Sequence, residues 1–126
     1  MSYKALIIDD DVFNLEVLAR LLDREGIDYV AIQDPLQIVR ALETPGGFNL
    51  VFLDLEMPKI DGYAALKQIR ARFGDSVPVI ACTVHLNEIE NAHEQGFHSF
   101  IEKPLKVGLF PKLLHRILNG ERVWID

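Results

Sequence analysis

The stretch KALIIDDDVFN, residues 4–14, changes from continuously apolar to acidic within a few positions. An apolar run without alternation is typical of a strand that is buried on both faces of a parallel sheet. The three adjacent carboxylates that follow repel one another, by about 4 kcal/mol for a close pair at a protein surface. An ordinary loop could use Ser, Gly or Asn here, so the acids indicate that a cation belongs at this place.

Four more short apolar runs follow this one at fairly even spacing. The third and fourth of the five runs are also continuous rather than alternating, and Val and Ile are frequent in them. The predicted strands are ALIID (5–9), YVAI (29–32), LVFLD (50–54), VPVIAC (77–82) and SFIEK (99–103).

Segments with the apolar spacing of helices separate these strands. Gly26 and Gly74 follow two of them as C-terminal caps, and Pro111 is tolerable only in the first turn of the last. Weaker patterns predict helices over 35–43 and 86–95. The apolar faces of the three stronger helices are Leu15, Leu18 and Leu22; Leu66, Ile69 and Phe73; and Leu109, Leu113, Leu114, Ile117 and Leu118.

The fivefold alternation of strand and helix predicts an α/β fold with right-handed crossovers and helices on both faces of a parallel sheet. With five strands, the doubly wound, flavodoxin-like (βα)5 arrangement with strand order 2-1-3-4-5 is favoured. In that topology ligands bind at the carboxyl ends of the strands, beside the switch point between the first and third.

Length and composition indicate one globular domain. The chain has 126 residues, of which 25% are charged and 49% hydrophobic. We expect a single domain over 1–126, with a core at 4–119, a short tail at 120–126 and no second output domain. The net charge of −6 argues against direct nucleic-acid binding, and no apolar run approaches the ~20 residues of a membrane span. A single cysteine, Cys82, fits a cytoplasmic location.

The polar residues at the predicted strand ends form one chemically coherent set. They are Asp9 and Asp10 after the first strand, Asp54 after the third, Thr83 after the fourth and Lys103 after the fifth. Carboxylate oxygens suit Mg²⁺, which keeps several waters and commonly bridges to a phosphate. The three acids carry a charge of −3, and Mg²⁺ with the lysine carries +3, so the occupied site is near neutral. If Asp54 became an acyl phosphate with a dianionic phosphoryl group, the charge of the site would be only about −1.

Each of these residues alone has an ordinary structural explanation. Acidic pairs often cap helices, and a lone Asp at a strand end is usually a turn residue. We assign Asp11 to a capping role, because it lies where the first helix begins. It is the joint occurrence of the other residues at the predicted strand ends that supports a common site.

Four segments resemble the receiver domain of two-component response regulators, in its single-domain, chemotaxis-regulator-like form. FLDLEMPKIDG (52–62) resembles the phosphoacceptor segment, with Met-Pro three and four residues after the Asp and Asp-Gly seven and eight residues after it. The other segments are IIDDD (7–11), VIACT (79–83) and FIEKP (100–104), and the resemblance spans residues 4–119.

The resemblance implies a phosphorylation-dependent signalling switch rather than a metabolic enzyme. Asp54 would accept a phosphoryl group from a sensor histidine kinase or a histidine phosphotransfer protein. Lys103 would pair with the phosphoryl oxygens, and Thr83 would turn to hydrogen-bond one of them. Phe100 would be the switch aromatic. A downstream target protein would then recognise phosphorylation on the face formed by the fourth helix, fifth strand and fifth helix.

The resemblance also implies the ligands of a Mg²⁺ ion. Asp10 would bind the metal directly, Asp9 largely through water, and Asp54 and the backbone carbonyl of Glu56 would complete the protein ligands. The Lys103–Pro104 bond is expected to be cis.

One departure from the family pattern lies beside the switch threonine. Val84 follows it where the family usually has Ala or Gly, and His85 comes next. We expect Val84 to add bulk where the attacking water approaches, and Glu56 and His85 to pair across the opening and restrict access. The alternative is that both polar side chains point into solvent and do little.

Two other functions compete with the switch. A Mg²⁺-dependent phosphohydrolase with an aspartyl nucleophile typically has a second Asp two residues after it, but that position is Glu56, and no inserted cap domain is present. A flavodoxin-type FMN protein needs a Ser/Thr/Gly phosphate loop after the first strand, where DDDVFN would repel the phosphate.

Overall fold

The computed structural model describes residues 2–124, which form a five-stranded parallel sheet between two layers of helices. The strands are β1 (Lys4–Ile8), β2 (Asp28–Ile32), β3 (Leu50–Asp54), β4 (Val79–Thr83) and β5 (Ser99–Glu102). Their order in the sheet is β2-β1-β3-β4-β5, which confirms the predicted doubly wound arrangement. The last two residues of the predicted tail, 125–126, lie outside the described residues.

Within residues 2–124, four helices connect the strands and a fifth follows β5. Short 3-10 turns at 35–37 and 86–88 precede two of these helices. None of the helices within residues 2–124 is long and apolar enough to cross a membrane. The helices are α1 (Val12–Arg24), α2 (Ile38–Ala41), α3 (Gly62–Phe73), α4 (Ile89–Gln95) and α5 (Phe110–Leu118).

The strands are buried on both faces because two hydrophobic cores flank the sheet. Along β3, Leu50 and Phe52 face the core beneath α1 and α5, whereas Val51 and Leu53 face the core beneath α2, α3 and α4. This alternation explains the continuously apolar runs. Cys82 of β4 belongs to the core beneath α1 and α5 and is a free, buried thiol.

Local chemistry sets the ends of several elements. Asp11 caps α1, since its carboxylate accepts hydrogen bonds from the amides of Phe13 at 2.8 Å and Asn14 at 3.4 Å. β4 begins two residues later than predicted, after Pro78, which has no amide hydrogen for the sheet. The helix predicted over 35–43 is reduced to the 3-10 turn and the single helical turn of α2.

Gly62 fixes how closely α3 approaches the segment that follows Asp54. A Cβ at this position would lie 2.7 Å from Leu55 Cα and 3.0 Å from Leu55 O, and these are backbone atoms. Any larger residue therefore displaces the segment that follows the candidate acceptor, Asp54.

We expect Gly62→Ala to lower the free energy of unfolding by about 1–3 kcal/mol, because it overpacks this contact. Urea denaturation measures the change. Gly108→Ala is the matched control, because a Cβ at Gly108 meets nothing within 4 Å and its substitution should change the free energy by less than about 1 kcal/mol. Equal stability of the two variants would contradict this account of the loop.

Candidate functional site

Three carboxylates meet where β1 and β3 end side by side. Ile8 of β1 is paired with Leu53 of β3, so the residues that follow them are neighbours. Asp9, Asp10 and Asp54 each place one oxygen within 4.8 Å of the other two. Asp9 and Asp54 are only 6% and 7% exposed, and two buried carboxylates this close require nearby positive charge.

Lys103 supplies part of that charge from the residue just beyond β5. Its Nζ atom lies 2.5 Å from Asp9 Oδ2 and 3.5 Å from Asp54 Oδ1. The sequence placed Lys103 in the site but gave no sign of its contact with Asp9. One ammonium against three carboxylates leaves the cluster with a charge of −2. The Lys103–Pro104 peptide bond is cis, as the resemblance implied.

Burial and the neighbouring charges shift the pKa values of this pair. Burial raises the pKa of Asp54 from 3.8 to about 6, against the lowering effects of Lys103 and of the Glu56 amide, which donates to Asp54 Oδ1 at 3.1 Å. The negative charges of Asp9 and Asp10 contribute to this rise in the pKa of Asp54. Burial acts to lower the pKa of Lys103, but the hydrogen bond to Asp9 and the charge of Asp54 outweigh it, and the pKa is raised.

Thr83 ends β4 with its side chain 1% exposed. Its hydroxyl accepts a hydrogen bond from the backbone amide of His85 at 3.2 Å. Beyond it, His85 Nε2 lies 2.9 Å from Glu56 Oε1, so these two side chains meet across the opening of the site. Val84, between Thr83 and His85, is 59% exposed.

A cleft of about 230 Å³ joins these groups, and Phe100 is the one candidate residue outside it. Phe100 lies within β5 and is fully buried, on the side of the sheet that α3 and α4 cover. The cleft is lined by Asp9, Asp10, Asp11, Asn14, Asp54, Glu56, Thr83, Val84, His85 and Lys103.

Sequence reasoning missed a second, apolar cavity of about 260 Å³ beside this cleft. Phe13, Leu18 and Cys82 contribute to its walls, and Asp54 and Lys103 lie at its polar end. Burial raises the pKa of the Cys82 thiol to about 12, so the thiol is neutral at physiological pH and is not a nucleophile there. The position of Phe13 two residues after the acidic run was the available signal, but exposure cannot be deduced from position alone.

The donor set fits a divalent cation that prefers oxygen. The three carboxylate oxygens are close enough to share one ion, and the residual charge of −2 equals what such an ion would neutralise. The two most buried acids lie at the ends of neighbouring strands, so the sheet itself holds them together. The fold and the cleft thus define a doubly wound α/β protein with an acidic site suited to binding a cation.

The chain belongs to the response regulator receiver domain family, whose members are phosphorylation-dependent switches of two-component signalling. The match to this family covers residues 5–115. It agrees with the predicted signalling function, and the phosphohydrolase and flavodoxin alternatives receive no support.

Three known proteins illustrate the similarity. The osmosensing histidine protein kinase SLN1 of Saccharomyces cerevisiae is 34% identical over 83% of this chain, which spans 9% of the kinase. Two-component response regulator 24 of Arabidopsis thaliana is 30% identical over 90% of this chain and 82% of its own length. The receiver domain of sensor histidine kinase PA1611 from Pseudomonas aeruginosa superposes with a TM-score of 0.82 at 28% identity, covering 95% of this chain and 100% of that one. That structure has a magnesium ion coordinated in its active site cleft.

We expect Asp54→Asn to stabilise the protein by about 1–3 kcal/mol at pH 7.5 in the presence of EDTA. The native state binds the Asp54 proton more tightly than the unfolded state does. Ionisation of Asp54 therefore lowers the free energy of unfolding as the pH rises from about 4 through about 6. Urea denaturation between pH 4 and 8 measures the difference between variant and wild type.

The advantage of the Asn variant should shrink as the pH falls towards 4. Asp11→Asn is the control, because it changes an exposed acid of the same run to another good capping residue and should shift stability by less than about 0.5 kcal/mol. An Asp54→Asn variant no more stable than wild type at pH 7.5 would contradict the electrostatic account.

Proposed function

We propose that Asp54 is the phosphoacceptor of this receiver and that phosphorylation depends on Mg²⁺ held by the acidic cluster. The observation that carries the proposal is the position of Lys103, which contacts Asp9 and Asp54 together while the cluster keeps a charge of −2. Such a site is complete only with a further cation, and it is then ready for a phosphoryl group.

The hydrogen bonds of Asp54 suggest which of its oxygens reacts. Oδ1 accepts the Glu56 amide and lies near Lys103, so we assign the attack on phosphorus to Oδ2. A new oxygen–phosphorus bond forms as the bond from phosphorus to the imidazole nitrogen of a phosphohistidine donor breaks, and that nitrogen keeps the electron pair. Lys103 and the Thr83 hydroxyl stabilise the phosphoryl oxygens.

Mg²⁺, when bound, neutralises the charge of the phosphoryl oxygens and of the acids around them. Asp9, Asp10 and Asp54 are the side chains we assign to it, together with the backbone carbonyl of Glu56. The assignment of the three acids rests on their mutual distances, and that of the carbonyl rests on the family resemblance.

We assign the phosphodonor to a sensor histidine kinase or a histidine phosphotransfer protein, in keeping with the relatives of the chain. The compartment we propose is the cytoplasm, where a free thiol such as that of Cys82 is stable. A downstream target protein would recognise the face of α4, β5 and α5.

Acetyl phosphate with Mg²⁺ should label Asp54, and Asp54→Asn should abolish the labelling. Asp10→Ala should reduce it strongly at limiting Mg²⁺, because one of the three acids is lost. Intact-protein mass spectrometry detects the added phosphoryl group. Asp11→Ala is the matched control, since it removes a capping acid of the same run and should label normally. Undiminished labelling of Asp54→Asn would overturn the assignment.

Phe13 is placed to contact a protein phosphodonor. It is 70% exposed in the first turn of α1 and lines the apolar cavity that ends at Asp54 and Lys103. Its neighbour Val12 is 46% exposed, so a small apolar surface borders the cleft. An apolar side chain of the donor could be buried here as its phosphohistidine reaches Asp54.

We expect Phe13→Ser to slow phosphotransfer from a phosphorylated protein donor about tenfold or more, as for loss of an aromatic contact at an interface. Labelling by acetyl phosphate, which needs no docking surface, should be unchanged. Leu36→Ser is the control, because Leu36 is 72% exposed but lines neither cavity. Equal slowing with both donors would show that Phe13 acts on the site itself.

The opening of the cleft is the basis for a prediction about phosphoryl lifetime. We propose that Val84, with the Glu56–His85 contact, limits the approach of water to the acyl phosphate. Val84→Ala should therefore lose its phosphoryl group severalfold faster than wild type at equal Mg²⁺ and pH. Following the decay of labelled protein tests this, and equal half-lives would mean that access is not limiting.

A further inference from the structure

The segment 121–124, here called the C-terminal strap, returns to the outer edge of β5. The Phe100 amide donates to the Val123 carbonyl at 2.8 Å, and the Val123 amide donates to Ser99 Oγ at 3.0 Å. Val123 is 1% exposed, so the strap is packed rather than merely adjacent. β5 is the last strand of the sheet, and the strap therefore covers an edge that no other strand pairs with in the described part of the chain.

Trp124 extends this contact onto the candidate switch residue. Its ring lies 6.5 Å from that of Phe100, centroid to centroid, with the planes only 21° apart. The same indole contacts the ring of His93 on α4 at 4.8 Å. Phe100 is fully buried beneath these groups, so it cannot turn towards solvent unless Trp124 moves.

The sheet connects this contact to the cleft over a short distance. Phe100 pairs with Ala81 of β4, and both belong to the core that α3 and α4 cover. Thr83 lies two residues beyond Ala81 on the same face of that strand. When the Thr83 hydroxyl turns from the His85 amide to a phosphoryl oxygen, the space next to Phe100 changes, and a close-packed core transmits such a change.

We propose that Trp124 is a positioning residue that couples the strap to the phosphorylation site by holding Phe100 in its buried arrangement. The inference rests on the proposed role of Asp54 and adds the element that controls the switch. Strap docking and phosphorylation then favour the same arrangement, in which Phe100 stays buried. Coupling of this kind is reciprocal, so loss of the strap contact weakens the response at Asp54.

The first test measures the binding of beryllofluoride, a phosphoryl mimic, in the presence of Mg²⁺. Trp124→Ala should bind it at least about fivefold more weakly than wild type, whereas Trp124→Phe, which keeps a ring over Phe100, should retain most of the affinity. Leu36→Ala, a change at an exposed residue outside the strap, is the control and should bind as wild type does.

The second test uses the fluorescence of Trp124, which is the only tryptophan of the chain. Beryllofluoride with Mg²⁺ should change the emission of wild type along the same curve as binding. The Thr83→Ala variant is measured at a beryllofluoride concentration high enough to saturate it. Its emission change should be lost, because the link from the cleft to Phe100 is removed. A purely structural Trp124 would respond identically in both proteins.

The outcomes separate this inference from the proposed function. If wild type binds no beryllofluoride in the presence of Mg²⁺, the role of Asp54 fails. If wild type binds it and Trp124→Ala binds equally well, the strap inference is overturned while the role of Asp54 stands. If circular dichroism shows that Trp124→Ala is unfolded, Ser99→Ala is judged by the same fivefold criterion. This substitution removes the acceptor of the Val123 amide, together with the contact of Ser99 Oγ with His98 Nδ1.

Discussion

The ion pairs of Lys103 with Asp9 and Asp54 are the constraint on which the site depends. Three carboxylates, two of them almost fully buried, cannot lie within 4.8 Å of one another without compensation. One lysine compensates a third of their charge and leaves −2. A divalent cation would neutralise this remaining charge, so the site is suited to respond to what binds there.

The doubly wound sheet explains how such an unfavourable cluster persists in a folded protein. Asp9, Asp54, Thr83 and Lys103 all lie at the carboxyl ends of strands that are buried on both sides. The two cores stabilise the strands, and the strands then hold the repelling groups at fixed positions. The raised pKa of Asp54 is one consequence of this arrangement, because burial disfavours its charged form.

The fold could be predicted from the sequence because a strand buried on both faces is a continuously apolar run. The bounds predicted for the third strand, 50–54, agree with the structure. The helix predicted over 35–43 was too long, since its weak apolar pattern did not reveal the 3-10 turn. The strand-end rule predicted a set of residues that line one cleft in the structure: Asp9, Asp10, Asp54, Thr83 and Lys103. Phe100 was expected from the family resemblance, and it lies outside that cleft. The Lys103–Asp9 contact and the strap involve residues far apart in the chain whose side-chain directions only packing determines.

Equilibrium unfolding as a function of Mg²⁺ concentration tests the central claim most directly. If the cluster is a cation site left at −2, Mg²⁺ binds the native state, and the free energy of unfolding rises with the logarithm of its concentration above the dissociation constant. NaCl at equal ionic strength should give no such rise, and Asp10→Asn should weaken it. A wild-type protein with the same stability in EDTA and in excess Mg²⁺ would contradict the account.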